Sequence, residues 1–259
     1  MTVLPRRALL GAAAGLPLAA VLASPKLTRA AAESLEPVEI TTEGGRKVSA
    51  SLALPAKTPA PAVMLIHEWW GLNDQIKAVA AELAGQGYAA LAVDLYDGKQ
   101  TDDPEQARSL MSAVNGEQAT DTLVSWIAEM KGPMKTKGHT SGPVATLGWC
   151  FGGGWSLNAA LATPTEGCVV YYGRVNKTAA ELAPLACPVL GHFADKDKWI
   201  DHAMVEGFQE AMETANKTAE VYWYDADHAF ANPTSARYDQ ADAKLSWERT
   251  SAYLKTQLG

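Results

Sequence analysis

A thiol set in a strand-to-helix turn is the plainest chemistry this sequence offers. In Gly148-Trp149-Cys150-Phe151-Gly152 a nucleophile stands between glycines two residues before and after it. An apolar run, Val144 to Gly148, enters the turn, and a small-residue stretch, Gly152 to Ala162, leaves it. The pattern is the G-x-S-x-G elbow with cysteine in place of serine. A chain that passes at once from strand to helix crowds the nucleophile's backbone against both neighbours, so only small residues fit beside it. The turn lifts the sulfur to the carboxyl edge of a sheet. A helix N-terminus then lies beneath it and favours negative charge. A free thiol ionises near ~8.5 and does so more readily in such a place. The plain alternative is a buried structural cysteine beside a tight turn.

A nucleophile of this kind needs a base, and the base needs a group to orient it. Five histidines are available: His67, His139, His192, His202 and His228. The elbow's usual chain order is nucleophile, acid, histidine. That order points to His228, in Asp225-Ala226-Asp227-His228-Ala229-Phe230, just past the last apolar run. His139 precedes the nucleophile in a Lys- and Gly-rich turn and reads as solvated. His192 lies inside an apolar run and reads as a satisfied core residue, while His202 opens a helix. The acid belongs to the preceding loop, Ala194-Asp195-Lys196-Asp197-Lys198-Trp199-Ile200-Asp201, where three aspartates compete. Asp197 is favoured because Ile200, three residues on, would anchor the loop's return. Asp195 is the alternative, and Asp201 suits the cap of the next helix. The oxyanion needs two backbone N–H groups. One belongs to Phe151, and the other to Trp69 in the loop His67-Glu68-Trp69-Trp70-Gly71. Glu68 is an acid directly after a buried run, either functional or a surface carboxylate.

Positioning these residues requires strands that end at one edge. Ala62 to Ile66, Tyr88 to Val93, Val144 to Gly148, Val169 to Tyr172 and Val189 to Phe193 are continuous apolar runs, the mark of strands buried on both faces. Val48 to Leu54 alternates, as a half-exposed strand does, with Val38 to Thr41 as its expected partner, and Val221 to Tyr224 is a late strand. Helical spacing is expected over Asn73–Gly85, over Pro104–Met130 with a break near Asn115-Gly116, and over Gly152–Ala162, Asp201–Thr214 and Tyr238–Leu258. Strand and helix alternate, which implies an α/β fold: a mostly parallel sheet with helices on both faces.

Residues 1–32 stand apart. Arg6-Arg7 precede an apolar run from Ala8 to Ala23, and Ala30-Ala31-Ala32 follows, the layout of an export signal. Paired arginines before Ala8-Leu9-Leu10 suggest the twin-arginine route. Cleavage is expected before Glu33, with a periplasmic or secreted product and one domain over residues 33–259. The alternative is an uncleaved anchor, for which the run is short against the ~20 residues of a span. Removing Arg6, Arg7, Lys26 and Arg29 takes the net charge from −7 to −11, which disfavours nucleic acid and anionic membranes as partners. The three cysteines, Cys150, Cys168 and Cys187, leave at least one thiol unpaired. Cys168 and Cys187 read as buried small hydrophobes, a disulfide between them being the alternative. No C-x-x-C spacing supports zinc or redox chemistry, and neither a metal nor an organic cofactor is implied.

These motifs together resemble the dienelactone hydrolase family of α/β-hydrolases. The likeness rests on His67-Glu68-Trp69-Trp70-Gly71-Leu72-Asn73, Val93-Asp94-Leu95-Tyr96, Gly148-Trp149-Cys150-Phe151-Gly152-Gly153, Tyr171-Tyr172-Gly173, Asp195-Lys196-Asp197 and Asp227-His228-Ala229-Phe230. By that resemblance Cys150, Asp197 and His228 form the triad. Glu68 is then the extra carboxylate that contacts the resting thiol and moves when substrate binds. The resemblance also implies two arginines that hold a substrate carboxylate. Neither is at its expected place, and Asn232 stands four residues beyond His228. Trp69, Trp70 and Trp149, with Tyr96, point instead to an apolar or aromatic substrate pocket.

The expected activity is cleavage of a small-molecule ester or lactone. His228 takes the thiol proton as Cys150 attacks, and a thioester forms and is hydrolysed. A broad carboxylesterase or thioesterase is the enzymatic alternative. An exported binding protein without turnover is the alternative from another class. Oligomeric state leaves no mark on the sequence.

Overall fold

The apolar runs become the inner strands of one eight-stranded sheet with order β1-β2-β4-β3-β5-β6-β7-β8 in the computed structural model, which describes residues 18–259. In chain order the strands are β1 (Glu36–Thr41), β2 (Lys47–Ala53), β3 (Ala60–Ile66), β4 (Ala89–Val93), β5 (Thr140–Trp149), β6 (Gly167–Tyr171), β7 (Val189–Ala194) and β8 (Ala219–Tyr224). Strands β1, β2 and β4 pair antiparallel, and every pairing from β4 through β3 to β8 is parallel. All residues of β4, β6 and β7 are buried, as their unbroken apolar sequences require, whereas edge strand β1 is exposed or half-exposed throughout.

The helices are α1 (Leu18–Leu22), α2 (Pro25–Ala32), α3 (Asp74–Gly85), α4 (Pro104–Ala113), α5 (Gly116–Lys131), α6 (Pro133–Thr136), α7 (Phe151–Ala162), α8 (Ala179–Leu182), α9 (His202–Thr214) and α10 (Gln240–Leu258). Alternation along β3 sorts the core: Val63 and Leu65 face α3 and α10, while Ala62, Met64 and Ile66 face α5 and α7. A third cluster packs β6 and β7 against α7 and α9 through Val170, Phe193, Val205 and Phe208. The sheet is therefore covered on both faces.

The expected breaks have local causes. Asn115 ends one helical run and starts the next, its side chain accepting from the Gln118 N–H at 3.0 Å. Asn73 caps α3 through the Ile76 N–H at 3.2 Å, and Asp201 caps α9 through that of Met204 at 2.9 Å. The short helices α6 and α8 carry too few residues for periodicity to mark them and were not expected.

Arg6-Arg7 and the first part of the apolar leader lie outside the described residues. Residues 18–32 fold as α1 and α2 against α3, burying Val21, Leu22, Thr28 and Ala32, and the Thr28 hydroxyl donates to the Val21 carbonyl at 3.0 Å. The expected cleavage point after Ala32 thus falls at the end of a helix. Among the described residues no helix is long and apolar enough to cross a membrane.

Candidate active site

Cys150 sits between β5 and α7 with φ 53° and ψ −117°, a left-handed backbone that a side chain adopts only when its surroundings enforce it. The enforcement is visible at the two glycines. A Cβ on Gly148 would lie 2.0 Å from the Gly152 carbonyl oxygen. One on Gly152 would lie 2.2 Å from the carbonyl oxygen of Ile66 and 2.4 Å from that of His67. The second contact matters twice, because it presses the nucleophile's helix against the end of β3, where the His67–Gly71 loop begins. The Cys150 N–H donates to the Tyr171 carbonyl at 3.0 Å, which fastens the elbow to β6 on its other side.

His228 lies on the loop after β8, and its Nδ1 is 2.6 Å from Asp197 Oδ2. The Asp197 side chain is fully buried, and its Oδ1 accepts from the N–H groups of Trp199 at 2.8 Å and Ile200 at 3.1 Å. Ile200 is buried. The other two aspartates are spent elsewhere: Asp195 pairs with His202 at 3.0 Å, and Asp201 caps α9. Burial opposes a charge on His228, but the bond to Asp197 and the proximity of Cys150 outweigh it and push the imidazole up to about 10. The site therefore favours the imidazolium form opposite the sulfur.

The Trp69 and Phe151 N–H groups have no acceptor among the described residues. Phe151 opens α7 directly after Cys150, and Trp69 lies in the loop that follows β3. The loop holding Trp69 is clamped by His67, which sequence reading left without a role. The Leu95 N–H donates to His67 Nε2 at 3.1 Å, so Nε2 is the acceptor and Nδ1 carries the hydrogen, 2.5 Å from the Glu68 carbonyl oxygen. Burial lowers the His67 pKa and keeps the ring neutral. The ring also stacks on Phe151, with centroids 5.8 Å apart at 22°, so one histidine braces both donor loops.

Glu68 is almost wholly buried. Oε1 accepts from the Tyr172 hydroxyl at 3.2 Å and Oε2 from Asn232 Nδ2 at 2.6 Å. Neither oxygen is hydrogen-bonded to Cys150. Burial raises the carboxyl above its ordinary range, despite the two hydrogen bonds and the nearby His228. Tyr172 adopts φ 36° and places its ring 5.0 Å from the His228 ring, so it touches both the carboxyl and the base. The sequence carried Tyr172 and Asn232 only as members of larger motifs. Nothing in their spacing showed that they would meet at Glu68, 104 and 164 residues away.

The aromatic residues expected at the pocket divide. Trp69 and Trp70 are half-buried in the loop beside the elbow, with ring centroids 4.7 Å apart. Tyr96 is wedged between His67 and Phe151, at 4.7 and 5.5 Å, with its hydroxyl buried and unpartnered among the described residues. Trp149 packs into the core beneath the elbow, against Tyr171 at 5.5 Å, so its ring supports the turn from below. His192 is a satisfied core histidine, held by the Tyr224 hydroxyl at 2.8 Å and Thr250 at 3.0 Å, and burial pushes it down to about 3. Cys168 and Cys187 are free, buried thiols beside the hydroxyls of Ser156 and Thr165.

Comparison with known proteins agrees with this geometry. The model of the dienelactone hydrolase family matches residues 48–258. The carboxymethylenebutenolidase of Pseudomonas putida is 28% identical over 231 residues, covering 85% of this chain and 95% of its own. That of Pseudomonas sp. strain P51 is 29% identical, covering 85% and 94%. Among solved structures, a dienelactone hydrolase-like promiscuous phosphotriesterase from metagenomic libraries superposes with a TM-score of 0.77 at 21% identity, over 87% of this chain and 99% of its own. That last likeness is one of fold.

Proposed function

The chain belongs to the dienelactone hydrolase family of α/β-hydrolases and is a hydrolase of carboxylic ester or lactone bonds, and from that premise we propose that Cys150, His228 and Asp197 carry the reaction through a thioester. The supporting observation is His228, braced by Asp197 at 2.6 Å and raised to about 10 beside the elbow cysteine. In this mechanism His228 takes the proton of the Cys150 thiol as the sulfur attacks. Cys150 Sγ attacks the carbonyl carbon, forming a carbon–sulfur bond while the carbonyl electrons move onto oxygen. The N–H groups of Trp69 and Phe151 hold that oxyanion. The carbon–oxygen ester bond then breaks, and His228 gives its proton to the departing oxygen. Water attacks the thioester with His228 as base, the acid leaves, and the thiol is restored.

A second reading, a broad carboxylesterase or thioesterase acting on uncharged acyl groups, draws support from Asn232. The group that meets Glu68 at 2.6 Å is a neutral amide, not an arginine. We also propose that the protein is exported, on the strength of Arg6-Arg7, the apolar run to Ala23 and Ala30-Ala31-Ala32. N-terminal sequencing of the secreted form is expected to begin near Glu33, and an intact Met1 there would refute it.

The mechanism is tested with p-nitrophenyl acetate, p-nitrophenyl butyrate and a dienelactone. Turnover is expected to vanish in Cys150→Ala, and rapid quenching of the wild type with p-nitrophenyl acetate is expected to leave an acetyl group on the Cys150 peptide. Full activity in Cys150→Ala would end the proposal. The lactone-to-ester rate ratio separates the two substrate readings.

A further inference from the structure

Beside His228 lies an aromatic surface that the mechanism leaves unused. Trp199 is 54% exposed, more than any other large hydrophobic residue described. Its indole meets the His228 imidazole edge-on, with centroids 5.2 Å apart and planes at 71°. The Arg237 guanidinium lies 5.5 Å over the indole, and its Nε donates to the His228 carbonyl at 2.8 Å. The Trp199 backbone N–H donates to Asp197 Oδ1 at 2.8 Å. A solvent-exposed ring thus packs on His228 while its own backbone is bonded to Asp197. The guanidinium covers part of the indole, and over half of the residue remains open to solvent.

We propose that Trp199, braced by Arg237, is the leaving-group subsite and selects esters and lactones whose departing oxygen is borne by a flat aromatic or conjugated group. The inference rests on the acyl-transfer reading above. In that reading His228 delivers the proton to the departing oxygen, so the leaving group lies on the His228 side of the carbonyl. Trp199 is the exposed aromatic surface beside His228, the Tyr172 ring on the same base being buried, whereas Trp69 and Trp70 lie in the loop after β3. A planar group laid on the exposed indole keeps its oxygen next to the imidazole, and a small alkyl group gains nothing from the shelf.

The test holds the acyl group constant. Phenyl acetate and ethyl acetate are compared in wild type, Trp199→Ala and Trp199→Phe. Trp199→Ala is expected to lose about tenfold in kcat/KM for phenyl acetate, mostly through KM, and less than about twofold for ethyl acetate, with Trp199→Phe restoring most of the loss. Equal losses on both substrates, or none on phenyl acetate, would overturn the subsite. Calorimetric binding of phenol decides the matter without turnover: weaker binding to Trp199→Ala supports the shelf, and equal binding sinks it. Absence of ester hydrolysis in the wild type, by contrast, would count against the proposed function alone.

Discussion

Asparagine at position 197 changes one atom of the site and reverses its hydrogen-bond logic. Asp197 Oδ1 is claimed by the N–H groups of Trp199 and Ile200, so an asparagine must keep its oxygen there. Its NH2 then takes the place of Oδ2, 2.6 Å from His228 Nδ1. Two donors cannot face each other, so Nδ1 becomes the acceptor and the ring hydrogen moves to Nε2, facing the sulfur and unable to accept its proton. The rise of His228 from the ordinary 6.5 to about 10 corresponds to about 5 kcal/mol in favour of the imidazolium, at ~1.36 kcal/mol per pH unit. Burial already opposes that charge, and the bond to Asp197 is the largest favourable contribution. In Asp197→Asn the imidazole is therefore expected to titrate at least about two pH units lower, and kcat/KM to fall by about 10²- to 10⁴-fold. NMR titration of labelled histidine and steady-state hydrolysis of p-nitrophenyl acetate measure the two effects. A His228 that still titrates near 10, together with kcat/KM within about threefold of wild type, would show that Asp197 neither charges nor orients the base.

Other perturbations follow from the same distances. Gly152→Ala places a Cβ 2.2 Å from the Ile66 carbonyl oxygen, so the urea midpoint should drop by the equivalent of about 1–3 kcal/mol, and activity should fall further because the Trp69 loop must shift. Glu68→Gln should raise Tm at pH 8 and lose that advantage at pH 4. Burial raises the Glu68 carboxyl, so its favourable contribution is complete only below the ordinary 4.5 and disappears as pH rises through the folded value. The His228 imidazolium stabilises the fold fully below 6.5, and that contribution is lost as pH rises through about 10. Chemical denaturation should therefore show wild type losing stability across that window and His228→Gln losing less. A chain beginning at Glu33 should unfold cooperatively at a somewhat lower Tm, because Val21 and Leu22 no longer cover α3, and should keep its kcat, because α1 and α2 supply no group to the site. A loss of cooperative unfolding would show that the segment is integral to the core.

Local rules made much of this site legible. The elbow, the Asp201 cap, the break near Asn115-Gly116 and the buried strands are short-range consequences of residue type, so residue type and spacing pointed to them. The choice among Asp195, Asp197 and Asp201 was partly local: a helix cap suited Asp201 and Ile200 favoured Asp197, while only the pairing with His202 accounts for Asp195. What sequence left dark depends on contacts across the sheet. His67 read as one of five histidines, and only the register of β3 beside β4 brings the Leu95 N–H to its ring. Trp149 looked like a pocket residue because it precedes the nucleophile. Strand alternation turns it instead into the core, beneath the residue it precedes.

The surroundings of Glu68 bear on how the thiol is kept. A buried carboxylate is costly to charge, and burial magnifies its repulsion of any other anion. Here both Glu68 oxygens are held by neutral donors, Tyr172 and Asn232, in a nearly dry position that favours the protonated acid. Burial disfavours a charge on Glu68, whereas the bond to Asp197 favours one on His228 beside Cys150. The carboxyl and the base are also mechanically joined, because Tyr172 touches both. A ligand that displaced the Tyr172 hydroxyl would therefore alter the proton balance of Glu68 and the packing of His228 in one movement. The expected signature of that link is coupling: Tyr172→Phe should change the His228 titration as well as that of Glu68.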